Sequence, residues 1–239
     1  MRPAFEPRIA ATLARVVLSA YRGFEHGGSP KLPAGWQLLG ELDAGAGLGV
    51  PEDFGFVARR GAELVVALRG TDSLPDLISD AEVEHALPPF AAGSARCDAG
   101  AVRLYASIQK RVREIVAQAG AQPLRVVGHS LGGAVAALLA LDLSSGRGAP
   151  LSLYSFGSIR AGDWRFWDRF RRAPIEAWRI VNRRDLVPHW PPVWLGYKHV
   201  GRRQAVRFHG ASGALANHSM EGYCRAVERM AGVAPETVT

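Results

Sequence analysis

Apolar residues along this chain form short continuous runs in some places and helically spaced sets in others. The run from Leu64 to Leu68 is continuously apolar, which is typical of a strand buried on both faces of a sheet. Residues 101–119 instead repeat apolar side chains at helical spacing, with Leu104, Ile108 and Val112 on one face. Runs of the two kinds alternate, and this alternation predicts an α/β fold with a mostly parallel sheet and helices on both faces.

The same patterns set the predicted order of elements. The predicted helices are 7–21, 101–119, 133–143, 164–172 and 218–231, and the predicted strands are 55–59, 63–68, 124–127, 151–156 and 177–181. Residues 197–208 are predicted to form a strand pair that turns at Gly201, and the Gly- and Pro-rich residues 23–35 are predicted to be loop. The length of 239 residues and the lack of internal repeats favour one domain over 1–239, with the strand at 124–127 in the centre of its sheet.

The segment Gly128-His129-Ser130-Leu131-Gly132 lies between that strand and an Ala- and Leu-rich helix. A Gly-x-Ser-x-Gly pattern between a strand and a helix is typical of a nucleophile elbow, a tight turn that presents a serine hydroxyl at a helix N-terminus. Gly128 and Gly132 leave room for the turn, and His129 is interpreted as a packing residue. The alternative is a plain Gly-rich turn in which Ser130 only caps the helix.

A nucleophilic serine needs a base, and the base needs an acid that fixes its tautomer. The chain order in this architecture is serine, acid, histidine, and Asp185 comes directly after the strand at 177–181. Asp163 better suits helix capping, Asp168 looks like a member of a surface ion pair, and Glu176 precedes its strand. Asp185 is therefore the predicted acid, and an ion pair with a neighbouring arginine is its alternative role.

Four histidines follow the predicted acid along the chain. His218 comes after a loop and at the start of the last helix, a position from which an imidazole can reach the nucleophile, so it is the predicted base. His209, at a strand end, is the second candidate. His189 is interpreted as shaping its loop, and His199 as a packed polar residue in a strand.

The oxyanion of an acyl-transfer reaction needs two backbone N–H donors. Leu131, directly after the nucleophile, is predicted to supply one of them. Thr71 is predicted to supply the other, because it follows a strand end at Gly70, where an unusual turn is possible. A plain turn in which Thr71 only caps the next segment is the alternative.

Several motifs taken together resemble one known family. They are Leu68–Asp72, Val127–Gly133, Ser155–Asp163, Arg179–Pro188 and Gly196–Gly201. In this order they resemble the class 3 lipase family, the fungal-type triacylglycerol lipases with an α/β-hydrolase fold, over nearly the whole chain. The resemblance implies a Ser130, Asp185 and His218 triad, an oxyanion hole of Thr71 and Leu131, and hydrolysis of lipid esters without a cofactor.

The resemblance also places a lid at residues 72–96. Leu74, Leu77 and Ile78 would form a short apolar helical face, which a lid buries when closed and shows to lipid when open. An ordinary helix packed on the core is the alternative. Asp76 matches a family acid that is expected to hydrogen-bond the Thr71 hydroxyl.

The sequence departs from the family in four places. The family's His-x-Gly-Phe stretch before the long helix appears here only as Asp98-Ala99-Gly100-Ala101. Family members usually have Pro at the position of Ile159 and Asn at the position of Asp163. The segment between Asp185 and His218 is also shorter than in the fungal members. Because that segment lines the acyl site in the family, the size of the substrate is the property most affected.

Charge and composition narrow the possible partners. The net charge is +7 at pH 7, and arginines are dense between residues 165 and 207, which indicates a solvated surface or, alternatively, attraction to anionic lipid head groups. We recognise no nucleic-acid module, zinc-ligand spacing or phosphate loop, so no nucleic acid, metal or cofactor is expected.

The N-terminal sequence and the cysteines bear on the compartment. No apolar run is long enough to span a membrane, and no secretory signal pattern opens the sequence. A cytoplasmic location is therefore expected, or a secreted one if the sequence is a mature form. Cys97 and Cys224 are too few for a disulfide framework, and a single bridge between them stays open.

These features predict a serine hydrolase that cleaves carboxylic esters of lipids, a lipase or esterase. One alternative within the same fold is an esterase or phospholipase that acts on phospholipid, feruloyl or polyester substrates. An alternative from a different class is a catalytically silent module that binds lipid or a protein partner.

Overall fold

The computed structural model describes residues 3–26, 29–44, 52–71, 85–90, 93–210 and 215–234. The predicted lid residues Leu74, Asp76, Leu77 and Ile78 lie outside the described residues, as does most of the segment 72–96. The lid and the single domain over 1–239 therefore stay predictions.

Helices and strands alternate along the described chain. The helices are α1 (Pro7–His26), α2 (Ala99–Gln118), α3 (Leu131–Ser144), α4 (Trp164–Arg172) and α5 (Met220–Ala231). The strands are β1 (Gln37–Ala44), β2 (Glu52–Arg60), β3 (Glu63–Leu68), β4 (His85–Ala86), β5 (Cys97–Asp98), β6 (Leu124–His129), β7 (Leu151–Phe156), β8 (Gly162–Asp163), β9 (Ile175–Asn182), β10 (Tyr197–Lys198) and β11 (Arg202–Val206). Short 3₁₀ turns occur at Val187–His189, Val193–Leu195 and Ala216–His218.

The main sheet has seven strands in the order β1-β2-β3-β6-β7-β9-β11. Strands β3, β6, β7, β9 and β11 pair in parallel, and β1 and β2 extend the sheet with antiparallel pairings. The predicted mostly parallel sheet is thus confirmed, and β6, which leads into the elbow, is its central strand. A second sheet joins four short strands in the order β10-β8-β5-β4.

Helices cover both faces of the main sheet. Side chains of Leu64, Val66 and Leu68 pack with α2 and α3, whereas Val65 and Ala67 pack in the cluster that contains α1 and α5. Because successive strand side chains point to opposite faces, a strand covered on both sides must be apolar at every position. This packing explains the continuous apolar run in β3.

Helix α3 lies inside the structure, with nearly all of its residues buried. A helix that is apolar on all sides is stable only when protein surrounds it, which fits its Ala- and Leu-rich sequence. Its one buried acid, Asp142, accepts a 2.5 Å hydrogen bond from the Tyr105 hydroxyl and forms a salt bridge with Arg113, both on α2. These partners offset the cost of burying the carboxylate.

The parallel register aligns the strand ends that matter for chemistry. Gly128 pairs with Leu68 on one side and Ser155 on the other, and Asn182 pairs with Val206. The chain segments that leave these strands therefore emerge along one edge of the sheet. In open α/β sheets this carboxyl edge is where ligands bind.

The predicted strand pair at 197–208 is wrong. β10 pairs antiparallel with β8 in the small sheet, whereas β11 pairs in parallel with β9 in the main sheet. The turn at Gly201, with φ 82°, redirects the chain from one sheet to the other. The sequence pattern identified extended segments correctly but carried no information about their partners.

Other differences concern one strand that was not predicted and the ends of two helices. Strand β1 was not predicted, because only two of its eight residues are buried and its apolar pattern is weak. Helix α1 continues through His26 into the predicted loop, and His218 lies in a 3₁₀ turn just before α5. None of the helices in the described part of the chain combines the length and apolar character that crossing a bilayer requires.

Candidate active site

Ser130 occupies a strained turn between β6 and α3. Its backbone has φ 58° and ψ −128°, and it is the one non-glycine with positive φ among the described residues. Its N–H donates to the Phe156 carbonyl at 3.0 Å, and its carbonyl accepts from Gly133 N at 3.0 Å. Such a conformation costs about 1–3 kcal/mol and persists only where surrounding contacts enforce it.

The elbow glycines make room for this turn. A Cβ on Gly128 would lie 2.2 Å from the Gly132 carbonyl oxygen, and one on Gly132 would lie 2.1 Å from the Arg69 carbonyl oxygen. Both neighbours are backbone atoms that cannot give way. The close approach of the two backbones is the physical reason for glycine on either side of Ser130.

Asp185 and His218 form a buried hydrogen-bonded pair. Asp185 Oδ2 accepts from His218 Nδ1 at 2.7 Å, and Asp185 Oδ1 accepts from the Val187 N–H at 3.0 Å. With its proton on Nδ1, the neutral imidazole presents an unprotonated Nε2. The structure thus brings the predicted acid and the predicted base together.

Tyr223 of α5 completes the surroundings of the acid. Its hydroxyl donates to Asp185 Oδ2 at 2.6 Å and accepts from the Asn182 N–H at 3.0 Å. Burial, followed by the adjacent Asp185 carboxylate, raises the pKa of Tyr223 well above 10, so the phenol keeps its proton and donates. Gly157, at φ 54°, leaves the space these groups need, since its Cβ would lie 2.9 Å from Asp185 Oδ2 and 3.0 Å from His218 Cε1.

Two polar atoms in this region are buried without a hydrogen-bond partner among the described residues. They are Ser130 Oγ and His218 Nε2. An unpaired buried polar atom costs about 1–3 kcal/mol, so such atoms call for an explanation. A hydroxyl and an unprotonated imidazole nitrogen are the donor and acceptor that a nucleophile–base pair requires.

The loop after β3 packs directly against Ser130. A Cβ on Gly70 would lie 2.8 Å from Ser130 Cβ and 3.3 Å from Ser130 Oγ. The buried Arg69 braces this loop, because its guanidinium donates to the carbonyls of Asp53 at 2.7 Å and Gly70 at 2.9 Å. Thr71 comes next in the chain and is half-buried.

Leu131 is the first residue of α3, and the first N–H groups of a helix have no partner within the helix. The helix N-terminus and the loop after β3 therefore flank Ser130. Backbone N–H groups at such positions suit a developing negative charge. The oxyanion roles of Leu131 and Thr71 stay predictions that agree with this arrangement.

Hydrogen bonds through Tyr21 and His129 connect the loop after β3 to His218. The Gly70 N–H donates to the Tyr21 hydroxyl at 2.7 Å, and this hydroxyl lies 2.6 Å from His129 Nδ1. His129 Nε2 lies 2.8 Å from the His218 carbonyl oxygen. Because that oxygen can only accept, Nε2 carries the proton, and the Tyr21 hydroxyl donates to Nδ1.

His129 is therefore held as a neutral imidazole. Burial, followed by the charge of His218, lowers the pKa of His129 well below 6.5. Its ring stacks on that of His218 with centroids 4.5 Å apart. The packing role predicted for His129 is thus joined by a hydrogen-bonding role that fixes the backbone of His218.

The alternative acids have other partners. Asp163 caps α4, with Oδ1 accepting from the N–H groups of Arg165 at 3.0 Å and Phe166 at 2.9 Å. Asp168 forms surface salt bridges with Arg171 and Arg172, as its spacing in the sequence indicated. Glu176 accepts a hydrogen bond from the Trp178 indole N–H at 2.9 Å.

The alternative histidines also lie elsewhere. His199 Nε2 lies 2.7 Å from the Pro188 carbonyl, in keeping with a packed polar role. His209, the second candidate base, is exposed in a pocket that arginines line. The side chain of His189 is exposed, while its carbonyl accepts from Arg160 and so helps to fix the loop.

Sequence reasoning missed Tyr21, Tyr223 and Arg69. Tyr21 and Tyr223 make their contacts across the fold, from α1 and α5, at positions with no motif of their own. Arg69 lies within the Leu68–Asp72 motif, but nothing in the motif indicates its hydrogen bond to the Asp53 carbonyl. In the part of the chain that the structure describes, no cluster of His, Cys, Asp or Glu side chains is placed to hold a metal ion.

Cys97 and Cys224 are buried free thiols, so they do not form the disulfide bridge that the sequence left open.

The central parallel sheet, the strained serine elbow and the acid–histidine pair define an α/β-hydrolase. The sequence profile described as Lipase (class 3) matches residues 65–194, more than half of the chain. The chain belongs to the class 3 lipase family.

Known proteins agree with this assignment. The lipase of Rhizomucor miehei is 34% identical over 155 residues, covering 61% of this chain and 42% of that protein. A secreted mono- and diacylglycerol lipase A of Penicillium cyclopium is 33% identical over 163 residues, covering 63% of this chain and 51% of that protein. The chain thus spans about half the length of these relatives.

A solved structure extends the likeness to the fold. The crystal structure of a lipase from Rhizopus microsporus var. chinensis superposes with a TM-score of 0.72 at 25% identity, covering 86% of this chain and 76% of that chain. The Penicillium relative is described as secreted, so the cytoplasmic location expected from the N-terminal sequence is not supported.

The hydrogen-bond chain predicts an effect of Tyr21→Phe on turnover. The change removes the acceptor of the Gly70 N–H beside Ser130 and the donor to His129, so we expect kcat on a soluble p-nitrophenyl ester to fall about tenfold, with little change in KM. The matched control is Tyr154→Phe, because Tyr154 is buried in the same core cluster and its hydroxyl bonds to no described residue. Equal kcat values for Tyr21→Phe and the control would contradict the positioning role.

A second prediction concerns stability in acid. Burial, followed by the charges of Arg179 and Arg160, lowers the pKa of His199 from 6.5 to about 3. Below pH 6.5 the unfolded chain binds a proton here that the folded protein does not, so the free energy of unfolding falls as the pH drops towards 3. The slope from this group is at most about 1.4 kcal/mol per pH unit.

His199→Gln removes this titration while keeping a donor for the Pro188 carbonyl. Urea unfolding at pH 7 and at pH 5 should show a smaller loss of stability for the variant than for the unaltered protein. The same loss in both proteins would show that His199 is not held neutral by the fold.

Proposed function

We propose that this chain is a serine hydrolase that cleaves carboxylic esters of lipids, with Ser130 as nucleophile, His218 as base and Asp185 as the orienting acid. Membership in the class 3 lipase family supports the reaction class. The observation that carries the proposal is the buried 2.7 Å hydrogen bond between Asp185 and His218, beside an unpartnered Ser130 Oγ and an unpartnered His218 Nε2.

In the acylation step, Ser130 Oγ attacks the ester carbonyl carbon as its proton passes to His218 Nε2. Asp185 stabilises the imidazolium that forms and keeps its ring oriented. The backbone N–H groups of Thr71 and Leu131 would hold the oxyanion of the tetrahedral intermediate. The Gly70 N–H donates to the Tyr21 hydroxyl, so Gly70 is not the proposed donor.

Collapse of the intermediate breaks the bond to the alcohol, and His218 returns its proton to that leaving oxygen. Water then attacks the acyl-enzyme with the same base, releasing the acid and restoring Ser130. The neutral His129 favours this cycle, because a second positive charge stacked on the imidazolium of His218 would oppose its formation.

We also propose a binding partner, a cellular location and a lid. An anionic lipid surface is the partner we propose for the arginine-rich stretch from 165 to 207, given the net charge of +7. A secreted location is the one that the Penicillium relative's description favours. A lid formed by residues 72–96 would cover the site between encounters with lipid.

The test of the proposed nucleophile uses a fluorophosphonate probe and a p-nitrophenyl ester. We expect the probe to label Ser130, and Ser130→Ala to lose labelling and to lower kcat by roughly 10⁴-fold or more. Ser152→Ala, a buried serine on the neighbouring strand β7, is the matched control and should retain both activities. Labelling that survives in Ser130→Ala would overturn the assignment of the nucleophile.

A series of p-nitrophenyl esters of increasing acyl length tests the substrate class. We expect kcat/KM to rise with chain length, because a longer acyl chain buries more apolar surface, worth about 0.8 kcal/mol per CH₂ group. Activity confined to the shortest esters would instead favour an esterase for soluble substrates. No activity on any ester, in a folded protein that the probe does not label, would favour a silent binding module.

A further inference from the structure

The loop that follows Asp185 exposes four large apolar side chains to solvent. Leu186, Val193, Trp194 and Leu195 are 76%, 60%, 82% and 41% exposed, respectively. They all lie within ten residues of one another, on the segment that leaves the acid of the candidate triad. Grouped exposed apolar side chains of this size are typical of a surface that binds a partner or a membrane.

This loop is held in place by the protein interior. The Arg160 guanidinium donates to the carbonyls of His189 and Pro191, and the Val187 N–H donates to Asp185 Oδ1. Val187 itself is buried in the core cluster beneath. The exposed apolar side chains are therefore presented by a braced backbone and do not fold back into the core.

A cationic pocket begins at the same strand end. Arg183, Arg184, Arg207 and His209 line it together with Asn182 and Phe208, and its volume is about 430 Å³. No acidic side chain contributes to this lining. Among the described residues, none forms a salt bridge with any of the three arginines, so their charges are available to an anion.

Several other arginines between residues 165 and 207 have partners among the described residues. Arg171 and Arg172 pair with Asp168, and Arg165 pairs with Asp163. Arg202 stacks over the Trp178 ring at 3.8 Å. The cationic pocket differs from these paired arginines, because its three guanidinium groups form no salt bridge with a described residue.

We propose that the apolar loop (Leu186, Val193, Trp194 and Leu195) and the cationic pocket together form a docking surface for an anionic phospholipid bilayer. The apolar side chains enter the interfacial layer, and the pocket receives a lipid phosphate. Tryptophan favours the interface of a membrane, and arginine binds phosphate oxygens in a bidentate manner. This surface involves no residue of the predicted lid.

The inference rests on the proposed function, because it names the surface from which the lipid ester is drawn. Both parts begin next to Asp185 in the chain, just after β9 reaches the carboxyl edge of the sheet where Ser130 lies. Arg183 and Arg184 precede Asp185, and Leu186 follows it. Seating this edge on a bilayer brings the candidate site to the lipid. A bilayer on this edge would bind both the exposed apolar side chains and the arginines of the cationic pocket, which follow and precede the buried Asp185 in the chain.

The experiment measures binding to vesicles in the Ser130→Ala background, which separates binding from hydrolysis. Vesicles of pure phosphatidylcholine are compared with vesicles of phosphatidylcholine and phosphatidylglycerol in equal parts, by sedimentation. We expect tighter binding to the anionic vesicles, and a loss of about fivefold for each of Arg183→Gln and Arg184→Gln. Trp194→Ser should weaken binding to both kinds of vesicle, and added salt should weaken only the arginine contribution.

Matched controls come from the same chain. Arg171→Gln removes one charge, as each test variant does, from an arginine that is already paired, and Trp164→Ser removes a tryptophan that is 52% exposed on α4. Both should bind as the parent does. Equal weakening by the controls, or no binding to anionic vesicles, would overturn the proposal.

Activity on a soluble ester, measured with Ser130 intact, reports on the proposed function separately. We expect the Arg183, Arg184 and Trp194 variants to keep this activity, because none of these side chains bonds to the triad. Loss of vesicle binding with full activity on the soluble ester would support the docking surface. Full vesicle binding by the Arg183, Arg184 and Trp194 variants would refute it whether or not the protein is an esterase.

Discussion

The site depends on keeping one carboxylate, that of Asp185, buried and fully hydrogen-bonded. A buried charge is tolerated only when donors replace the water it has lost. Three groups do so here: the His218 imidazole, the Tyr223 hydroxyl and the Val187 N–H. Each comes from a different part of the chain, so satisfying this one group fixes α5, the loop after β9 and the turn that carries His218 relative to one another.

A second set of hydrogen bonds makes the same kind of connection on the other side of Ser130. Tyr21 on α1 links the loop after β3 to His129, and His129 links on to the backbone of His218. The first helix is therefore part of the active-site framework as well as a cover for the sheet. Because the Gly70 N–H donates to the Tyr21 hydroxyl, this N–H is not available to other groups, and this limits which backbone donors can face an oxyanion.

The carboxyl edge of the sheet carries both the chemistry and the proposed docking surface. Parallel strands deliver their following loops to one side, so the elbow, the acid and the exposed Trp194 loop emerge together. A hydrolase that works on lipid needs its nucleophile near the bilayer and its acid away from water. The loop from Asp185 to Leu195 meets both needs, since it buries its first side chain and exposes several of those that follow.

The central strands and the elbow are predictable from the sequence alone. The apolar runs of β3 and β6 and the Gly-Ser-Gly spacing predict a central strand and elbow, because such patterns are local and depend only on neighbouring residues. The order of Ser130, Asp185 and His218, with the family motifs, was also sufficient to nominate the triad. By the same local patterns, most strands of the main sheet, the helix α4 and the Asp163 cap are predictable from the sequence.

Which of these elements contact one another depends on the tertiary structure. No local pattern could show that Tyr21 and Tyr223 reach the site, because their contacts join residues that are far apart in the sequence. For the same reason the sequence could not show that β10 and β11 belong to different sheets. Nor could it show that Arg183 and Arg184 form no salt bridge with a described residue while Arg171 and Arg172 pair with Asp168. Apolar periodicity reports which face of an element is buried, whereas hydrogen-bond partners and charge pairing depend on the position of every other element.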